Sequence, residues 1–480
     1  MSQERTVAEL LADYLRQAGV THVFGYPGES LVDFIEAARL AGPQVVSAAR
    51  EASAAFMAEG AAMRTGTVGA CLSTLGPGST ALLNGVASAQ LDRVPLLAAS
   101  GQVDSAREQF WTHQLIDQGR LFAPVTKLTA RLDAASGETV LRRALRTAIA
   151  ERPGAVHLTV TMDSFGKTCA GARGDGKVPP LTSAGAGLEL FGPSSIGGAP
   201  LRALRAAKRP VLLAGAGAVR CGASGVLAEL AAHAGLPVVV GAMAKGVLPE
   251  DNPWYAGTVD MAGHQAIWRL LASADLIVTA GFDPVELITP WRLSVPVLHV
   301  DTVPNTDQVY PAAIEVVGNV ATALAWFLAN TDDGPRWSEA EVAAHRSTLR
   351  AAYHTGYNTG KLNPSELVET VRAAAPASTV LTADVGSHKI MTGQAWTTHA
   401  PRETLITNGL SAMGFGLPAA IGAALSSVPG TPVVSMIGDG GFAMTATELS
   451  VAARLGLGLV VVVFSDGGLN RIELHQASVG

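Results

Sequence analysis

The chain has 480 residues, 48% hydrophobic and 15% charged, with a net charge of −6, a composition that excludes a disordered chain and, with no long basic run, argues against a nucleic-acid partner. Its length suits about three domains. No apolar run is long enough to span a membrane, the opening MSQERTVAELLADYLRQAG carries charges throughout and does not read as a signal peptide, and three scattered cysteines (Cys71, Cys169, Cys221) lack metal-ligand spacing, so a reducing cytoplasm is the expected location.

In chain order, the pattern predicts a helix over Thr6–Ala18, ended by Gly19, and then alternating strands and helices to about Ser164. Strand Val23–Tyr26 leads into Pro27-Gly28-Glu29, and Val45–Ala48 into Arg50-Glu51 and an Ala-rich helix. Val68–Ser73 leads into Thr74-Leu75-Gly76-Pro77-Gly78-Ser79, and strands Leu96–Ser100 and Val156–Val160 follow. Such alternation predicts a parallel sheet covered by helices on both faces. Glu51 enters the apolar helix EASAAFMAEGAAM, where burial would disfavour its charge and raise its pKa. Taken alone, it also suits a helix start, which favours an acid through the helix dipole. Gly76-Pro77-Gly78 alone is an ordinary strand-to-helix turn.

Residues 166–200 are rich in Gly, Ala, Ser and Pro and read as a linker. A second α/β unit begins at Arg209, with strands at Val211–Ala214, Val238–Val240, Leu276–Thr279, Val297–Val300 and Ile314–Val317. Gly215-Ala216-Gly217 after its first strand is half a dinucleotide fingerprint, weak evidence beside the simpler use in tight strand–helix packing. A charged helical stretch, Trp337–Tyr353, bridges to a third unit at about Asn363, with strands Val380–Thr382, Thr404–Thr407, Val433–Ile437 and Leu459–Phe464. The last two run into Gly438-Asp439-Gly440-Gly441 and Ser465-Asp466-Gly467-Gly468. Two acids thus sit at the carboxyl ends of parallel strands, where open α/β sheets bind ligands. Their oxygens suit a hard cation such as Mg²⁺ that also grips phosphate, and the glycines let backbone approach it. Thr445-Ala446-Thr447-Glu448 reads as a capping box, placing a helix start nearby. As simple turns, the Asp-Gly pairs would need no ligand.

Gly438-Asp439-Gly440, with Asp466 27 positions after Asp439, resembles the metal-binding signature of the thiamine diphosphate (ThDP) enzymes, with Asp466 where Asn is usual. Arg50-Glu51 with Ala58-Glu59-Gly60-Ala61 resembles the family segment carrying a catalytic glutamate. Gly76-Pro77-Gly78 and Asn84-Gly85-Val86-Ala87 resemble its Gly-Pro-Gly loop and following helix, and Val94–Gln102 its next strand. His113-Gln114, at its spacing before Pro124-Val125-Thr126-Lys127, resembles acetolactate-synthase-like enzymes. Asp384–Lys389 resembles a diphosphate-end segment and Asn408–Pro418 the segment that bends the cofactor. Lys245–Pro253 resembles the same synthases, but Gly281–Glu286 lacks the arginine of the FAD-carrying ones, which argues against FAD.

The resemblance implies two ThDP-binding-fold domains flanking a Rossmann-like middle domain, all doubly wound α/β with parallel sheets. The implied boundaries are 1–165 for pyrimidine binding, a linker at 166–200, the middle domain at 201–335, a helical linker at 336–362, and a diphosphate and Mg²⁺ domain at 363–480 that lacks a further expected strand and reads as truncated. It implies a catalytic Glu51 that hydrogen-bonds the cofactor pyrimidine, with Gln114 facing the cofactor. His113 stands where those synthases often carry an aromatic residue, and its imidazole is a candidate general acid or base near neutral pH, or else a packed or solvent-facing histidine. Further cofactor contacts fall on Pro27, Gly28, Thr74, Gly76, Pro77, Gly78 and Asn84 in the first domain. In the last they fall on Gly386, Ser387 and His388, on Leu410, Ser411 and Met413, on Gly438 to Gly441, and on Asp466, Gly468, Leu469 and Asn470. Asp439, Asp466 and Gly468 are the implied Mg²⁺ ligands. The implied activity is an acetolactate-synthase-like carboligase or lyase acting on a 2-oxo acid, with pyruvate as donor, in a homodimer or homotetramer. The alternatives are a non-oxidative 2-oxo acid decarboxylase and a catalytically idle ThDP-fold binding protein.

Overall fold

The computed structural model describes residues 5–169, 198–332 and 334–479. Most of the linker expected at 166–200 lies outside the described residues. The strands are β1 His22–Gly25, β2 Gln44–Ser47, β3 Gly69–Ser73, β4 Leu96–Gln102, β5 Leu128–Arg131 and β6 Ala155–Thr161, then β7 Pro210–Ala214, β8 Val238–Val240, β9 Tyr255–Thr258, β10 Leu276–Ala280, β11 Val297–Asp301 and β12 Ala312–Val317, and finally β13 Val380–Ala383, β14 Thr404–Ile406, β15 Val433–Gly438 and β16 Leu459–Phe464. They form three sheets, the third made of β13 to β16, and the pairings β1 to β12 and β13 to β14 are parallel. The expected α/β class with parallel sheets is therefore present.

The chain divides into two compact units, one drawing on 5–169 and 409–462, the other on 198–408 and 463–479. In the first, the sheet order is β2-β1-β3-β4-β6-β5. Its interior strands β1, β3, β4 and β6 are buried nearly throughout, as a sheet covered on both faces requires. One face packs on Leu11, Leu15, Phe34 and Leu145. The other packs on the helix Glu51–Thr65, whose Ala54, Ala58 and Ala62 belong to one core with Leu417 and Ile421 of the helix Gly416–Leu425. These two helices touch through glycines. A Cβ on Gly60 would lie 2.4 Å from the Ala419 carbonyl oxygen, and one on Gly422 would lie within van der Waals overlap of the Met57 carbonyl.

In the second unit the order β12-β11-β10-β7-β8-β9 reverses direction between β7 and β10, the doubly wound arrangement with a switch point beside the first strand. Val211, Leu213, Val239, Ile277 and Leu298 fill its core. In the first unit, Thr6 caps the helix Val7–Gln17 in a full capping box with Glu9. Two edge strands, β5 and β9, were not among those expected from the sequence.

Candidate functional site

In the first unit, the loops after β1, β2 and β3 converge. Gly28 caps the 3₁₀ turn Glu29–Leu31, and a Cβ there would lie 2.6 Å from the Thr74 side chain. Ser30 Oγ and Thr74 Oγ1 are 3.1 Å apart. Gly76 adopts φ +56 as N-cap of the helix Pro77–Leu91, with proline at N1 supplying a preformed φ. A Cβ on Gly76 would lie 2.8 Å from the Cβ and carbonyl oxygen of Gln114, itself at φ +56. Glu51 is the first residue of its helix and half-buried, less enclosed than the apolar sequence context suggests. Its Oε1 would lie 3.2 Å from a Cβ on Gly78, so the missing side chain leaves the carboxyl its position. Thus Gly28, Thr74, Gly76, Gly78, Glu51 and Gln114 share one loop cluster. Pro27 is exposed beside it, as are His113 and, on the following helix, Asn84.

Three supports of this cluster carried no recognisable signal in the sequence. Ser79 Oγ donates to the Thr74 carbonyl at 3.2 Å, and Gln118 Nε2 donates to Ser79 Oγ at 3.0 Å and to the Gly101 carbonyl at 2.7 Å. Below it, Ser73 Oγ, Ser100 Oγ and His157 Nε2 form a buried chain with steps of 2.8 and 2.9 Å. His157 stacks on Phe122 at 3.7 Å between ring centroids, and burial pushes its pKa down to about 3, so the imidazole is neutral.

The same unit holds the segment from Gly409. Leu410, Ser411 and Met413 are half-buried, with Ser411 at φ +53 and Gly414 at φ +87 shaping the bend. β15 runs to Gly438, which caps the helix Asp439–Thr445. Asp439 opens that helix, its Oδ1 accepting from the Gly440 N–H at 2.7 Å, with Gly441 buried behind it. The expected capping box at Thr445–Glu448 does not form. Thr445 ends a helix and donates its hydroxyl to the Gly441 carbonyl, while the Glu448 carboxyl accepts from the Ala49 N–H at 3.0 Å. A nearer helix start, at Asp439 itself, takes its place.

In the second unit, Gly386 at φ +155 precedes the helix Ser387–Ala395, and a Cβ there would lie 2.7 Å from the His388 ring. Ser387 Oγ donates to Asn470 Oδ1 at 2.8 Å, and His388 stacks on Phe464 at 5.5 Å. Asp466 is exposed in a turn, accepting from the Gly468 N–H at 3.1 Å, with Gly467 at φ +77 and Leu469 exposed beyond. Gly386, Ser387, His388 and Asn470 therefore gather in this unit. Among the described residues, no three His, Cys, Asp or Glu side chains are grouped as a metal site.

The Gly215-Ala216-Gly217 turn is filled from within. Glu286, fully buried, accepts from the Ala216 N–H at 2.9 Å, and a Cβ on Gly215 would lie 2.3 Å from its Oε1. Burial pushes this carboxyl up to about 8. A protein carboxyl thus holds the place where a dinucleotide's diphosphate would meet the turn, so these residues do not fit FAD or a nicotinamide dinucleotide there.

Family models match in chain order: the thiamine pyrophosphate enzyme N-terminal TPP binding domain over residues 5–121, the central domain over 199–327, and the C-terminal TPP binding domain over 384–480. The chain is 30% identical to an acetolactate synthase of Bacillus subtilis, over 98% of this chain and 83% of that one. It is 29% identical to the acetolactate synthase isozyme 3 large subunit of Escherichia coli, with the same coverage. It is also 30% identical to a probable 2-ketoarginine decarboxylase of Pseudomonas aeruginosa, over 98% of this chain and 83% of that one.

Proposed function

Because this chain belongs to the thiamine pyrophosphate enzyme family, among its acetolactate-synthase-like members, we propose that it is a Mg²⁺-dependent carboligase that takes pyruvate as donor. The observation that carries the reading is the Glu51 carboxyl held against the bare Cα of Gly78 at the mouth of the loop cluster. When bound, ThDP supplies a carbon nucleophile and an electron sink for loss of carbon dioxide from a 2-oxo acid. Glu51 would hydrogen-bond the cofactor's pyrimidine and hold the proton that sets its tautomer. Gly28, Thr74 and Gly76 to Gly78 would present backbone to the same ring, with Pro27 at the rim and Gln114 and Asn84 on its approaches. Met413 would fix the cofactor's bend, with Leu410 and Ser411 beside it.

Gly386, Ser387 and His388, with Leu469 and Asn470, would hold the diphosphate end. Asp439, Asp466 and the Gly468 carbonyl would hold Mg²⁺, with Gly438, Gly440 and Gly441 letting backbone approach the phosphates. The fit rests on the oxygen donors and on the glycines that flank them in sequence, which suit a hard cation and a diphosphate. We place the two halves of each site on different copies of the chain, so that a homodimer is the smallest active form. Domain boundaries at 165, 200, 335 and 362 suit this division of labour.

A second reading, simple decarboxylation of a 2-oxo acid, draws on the exposed His113 next to Gln114, where an imidazole can deliver the final proton. The test is calorimetric titration of ThDP into metal-stripped protein with and without Mg²⁺, then assay of carbon dioxide and ligated product from pyruvate. Mg²⁺-dependent binding with ligated product supports the first reading. Carbon dioxide with aldehyde alone supports the second, and absence of ThDP binding removes both.

A further inference from the structure

The helix that begins at Glu51 carries a second acid, Glu59, that none of the site chemistry uses. It is 0% exposed, and its Oε1 accepts from Ser88 Oγ at 3.2 Å. Asp92 lies one helical turn beyond Ser88, its N–H donating to the Ser88 carbonyl at 2.8 Å, and brings a second carboxyl beside Glu59, whose Oε2 meets no donor. Asp92 is 1% exposed and sits in the turn that ends the helix Pro77–Leu91. Two carboxyls can hydrogen-bond only through a proton carried by one of them. Asp92 Oδ1 accepts from the Gly409 N–H at 2.5 Å. Gly409 has no freedom to drift, because a Cβ there would already lie 2.5 Å from the Leu91 backbone.

Three segments meet at this pair: the helix that positions Glu51, the helix that follows the Gly76–Gly78 turn, and the loop that carries Leu410, Ser411 and Met413. We propose that the buried Glu59 and Asp92 carboxyls share one proton in a clasp that positions the 409–413 loop for the cofactor. Both are positioning residues, acting through the Gly409 amide. The proposal rests on the assignment of Leu410, Ser411 and Met413 to cofactor binding.

The groups that face Glu59 are Asp92 and Ser88 from one helix and turn, and Cys71 from β3. None supplies a positive charge. Burial and the Asp92 charge hold Glu59 well above the usual carboxylate range, and burial with Glu59 nearby holds the Cys71 thiol protonated. Loss of the shared proton would set two buried carboxylates against each other and release Gly409.

The test compares Glu59→Ala, Glu59→Gln and wild type in the full-length protein. ThDP affinity is measured with saturating Mg²⁺ from pH 6.5 to 9.5. Glu59→Ala should bind ThDP about tenfold more weakly at pH 7.5. Glu59→Gln, whose amide still donates to Asp92, should restore affinity to within about twofold and remove any alkaline weakening that wild type shows. Hydrogen exchange of the 409–413 amides in apo protein gives a readout without cofactor: exchange should quicken in Glu59→Ala and Asp92→Ala, and not in Glu59→Gln. The clasp is refuted if Glu59→Gln is as impaired as Glu59→Ala, if its alkaline fall equals that of wild type, or if 409–413 exchange is the same in all variants. Should wild type bind no ThDP, the functional reading fails, while the exchange data still decide the clasp.

Discussion

Gly78→Ala separates activity from stability at the centre of the proposed site. The new methyl would stand 2.8 Å from Thr74 Cγ2 and 3.2 Å from Glu51 Oε1. Ordinary carbon contacts need about 3.5–4.0 Å, so the Thr74 methyl must retreat by roughly 0.7 Å or more and the Glu51 oxygen by a few tenths. Thr74 cannot retreat freely, since Ser30 holds its hydroxyl and Ser79 its carbonyl. Overpacking of this kind costs about 1–3 kcal/mol, while replacing glycine by alanine within a helix returns about 1 kcal/mol. The net loss of stability should therefore be small, about 0–2 kcal/mol by urea unfolding. Turnover should fall as well. A 1 Å misplacement of a positioned catalytic group costs up to about 100-fold, so a shift of a few tenths of an ångström at Glu51 should cost several-fold, up to about tenfold, or about 1.4 kcal/mol in barrier. The assay is kcat for carbon dioxide release at saturating ThDP, beside an unfolding curve for the same preparation. A variant that keeps wild-type kcat would refute the claim that the bare Gly78 Cα sets the position of Glu51. A variant that loses kcat only in proportion to unfolded protein would do so too.

Three other expectations can be checked alongside. Glu51→Gln should lower kcat by about 100-fold or more while ThDP still binds in calorimetry, because the pyrimidine loses its proton partner and not its pocket. Glu286 has a folded pKa of about 8, above its unfolded value, so its contribution to stability is complete below the unfolded pKa and is lost as pH rises through about 8. Urea unfolding at pH 6 and pH 9 should show a larger alkaline loss in wild type than in Glu286→Gln. Gly422→Ala, whose methyl would overlap the Met57 carbonyl, should destabilise by about 3 kcal/mol or more in thermal unfolding, with no route to relief through a side chain.

Much of this architecture was legible because each interior strand is a short apolar run ending in a turn with Gly, Pro or Asp. β3, β4 and β7 are buried end to end, and their positions follow from the run alone. The two strands that the hydrophobic pattern does not announce, β5 and β9, lie at sheet edges. β5 (Leu-Thr-Ala-Arg) is only half-buried, so its hydrophobic signal is diluted. β9 is broken by Gly257 at φ +116, beside a register shift opposite β8. The Thr445–Glu448 pattern misled for a different reason: Glu448 finds a better donor in Ala49, distant in sequence, than in its own helix start. Gly28, Gly76 and Gly78 could be singled out, but their common purpose could not. It lies in which side chain each leaves room for. The Glu59–Asp92 contact joins residues 33 positions apart that each read as an ordinary polar residue at a helix or its end.

The glycine contacts between the helices Glu51–Thr65 and Gly416–Leu425 bear on how the chain is made. Gly60 and Ala419, which touch in the finished fold, are 359 positions apart. At about 5–20 residues per second, the ribosome delivers the second helix roughly 20–70 s after the first. Throughout that interval the alanine and methionine face of Glu51–Thr65 has no native cover. A nascent chain paused before residue 416 should therefore bind holdase chaperones, and release from them should come only when Gly416–Leu425 has left the exit tunnel.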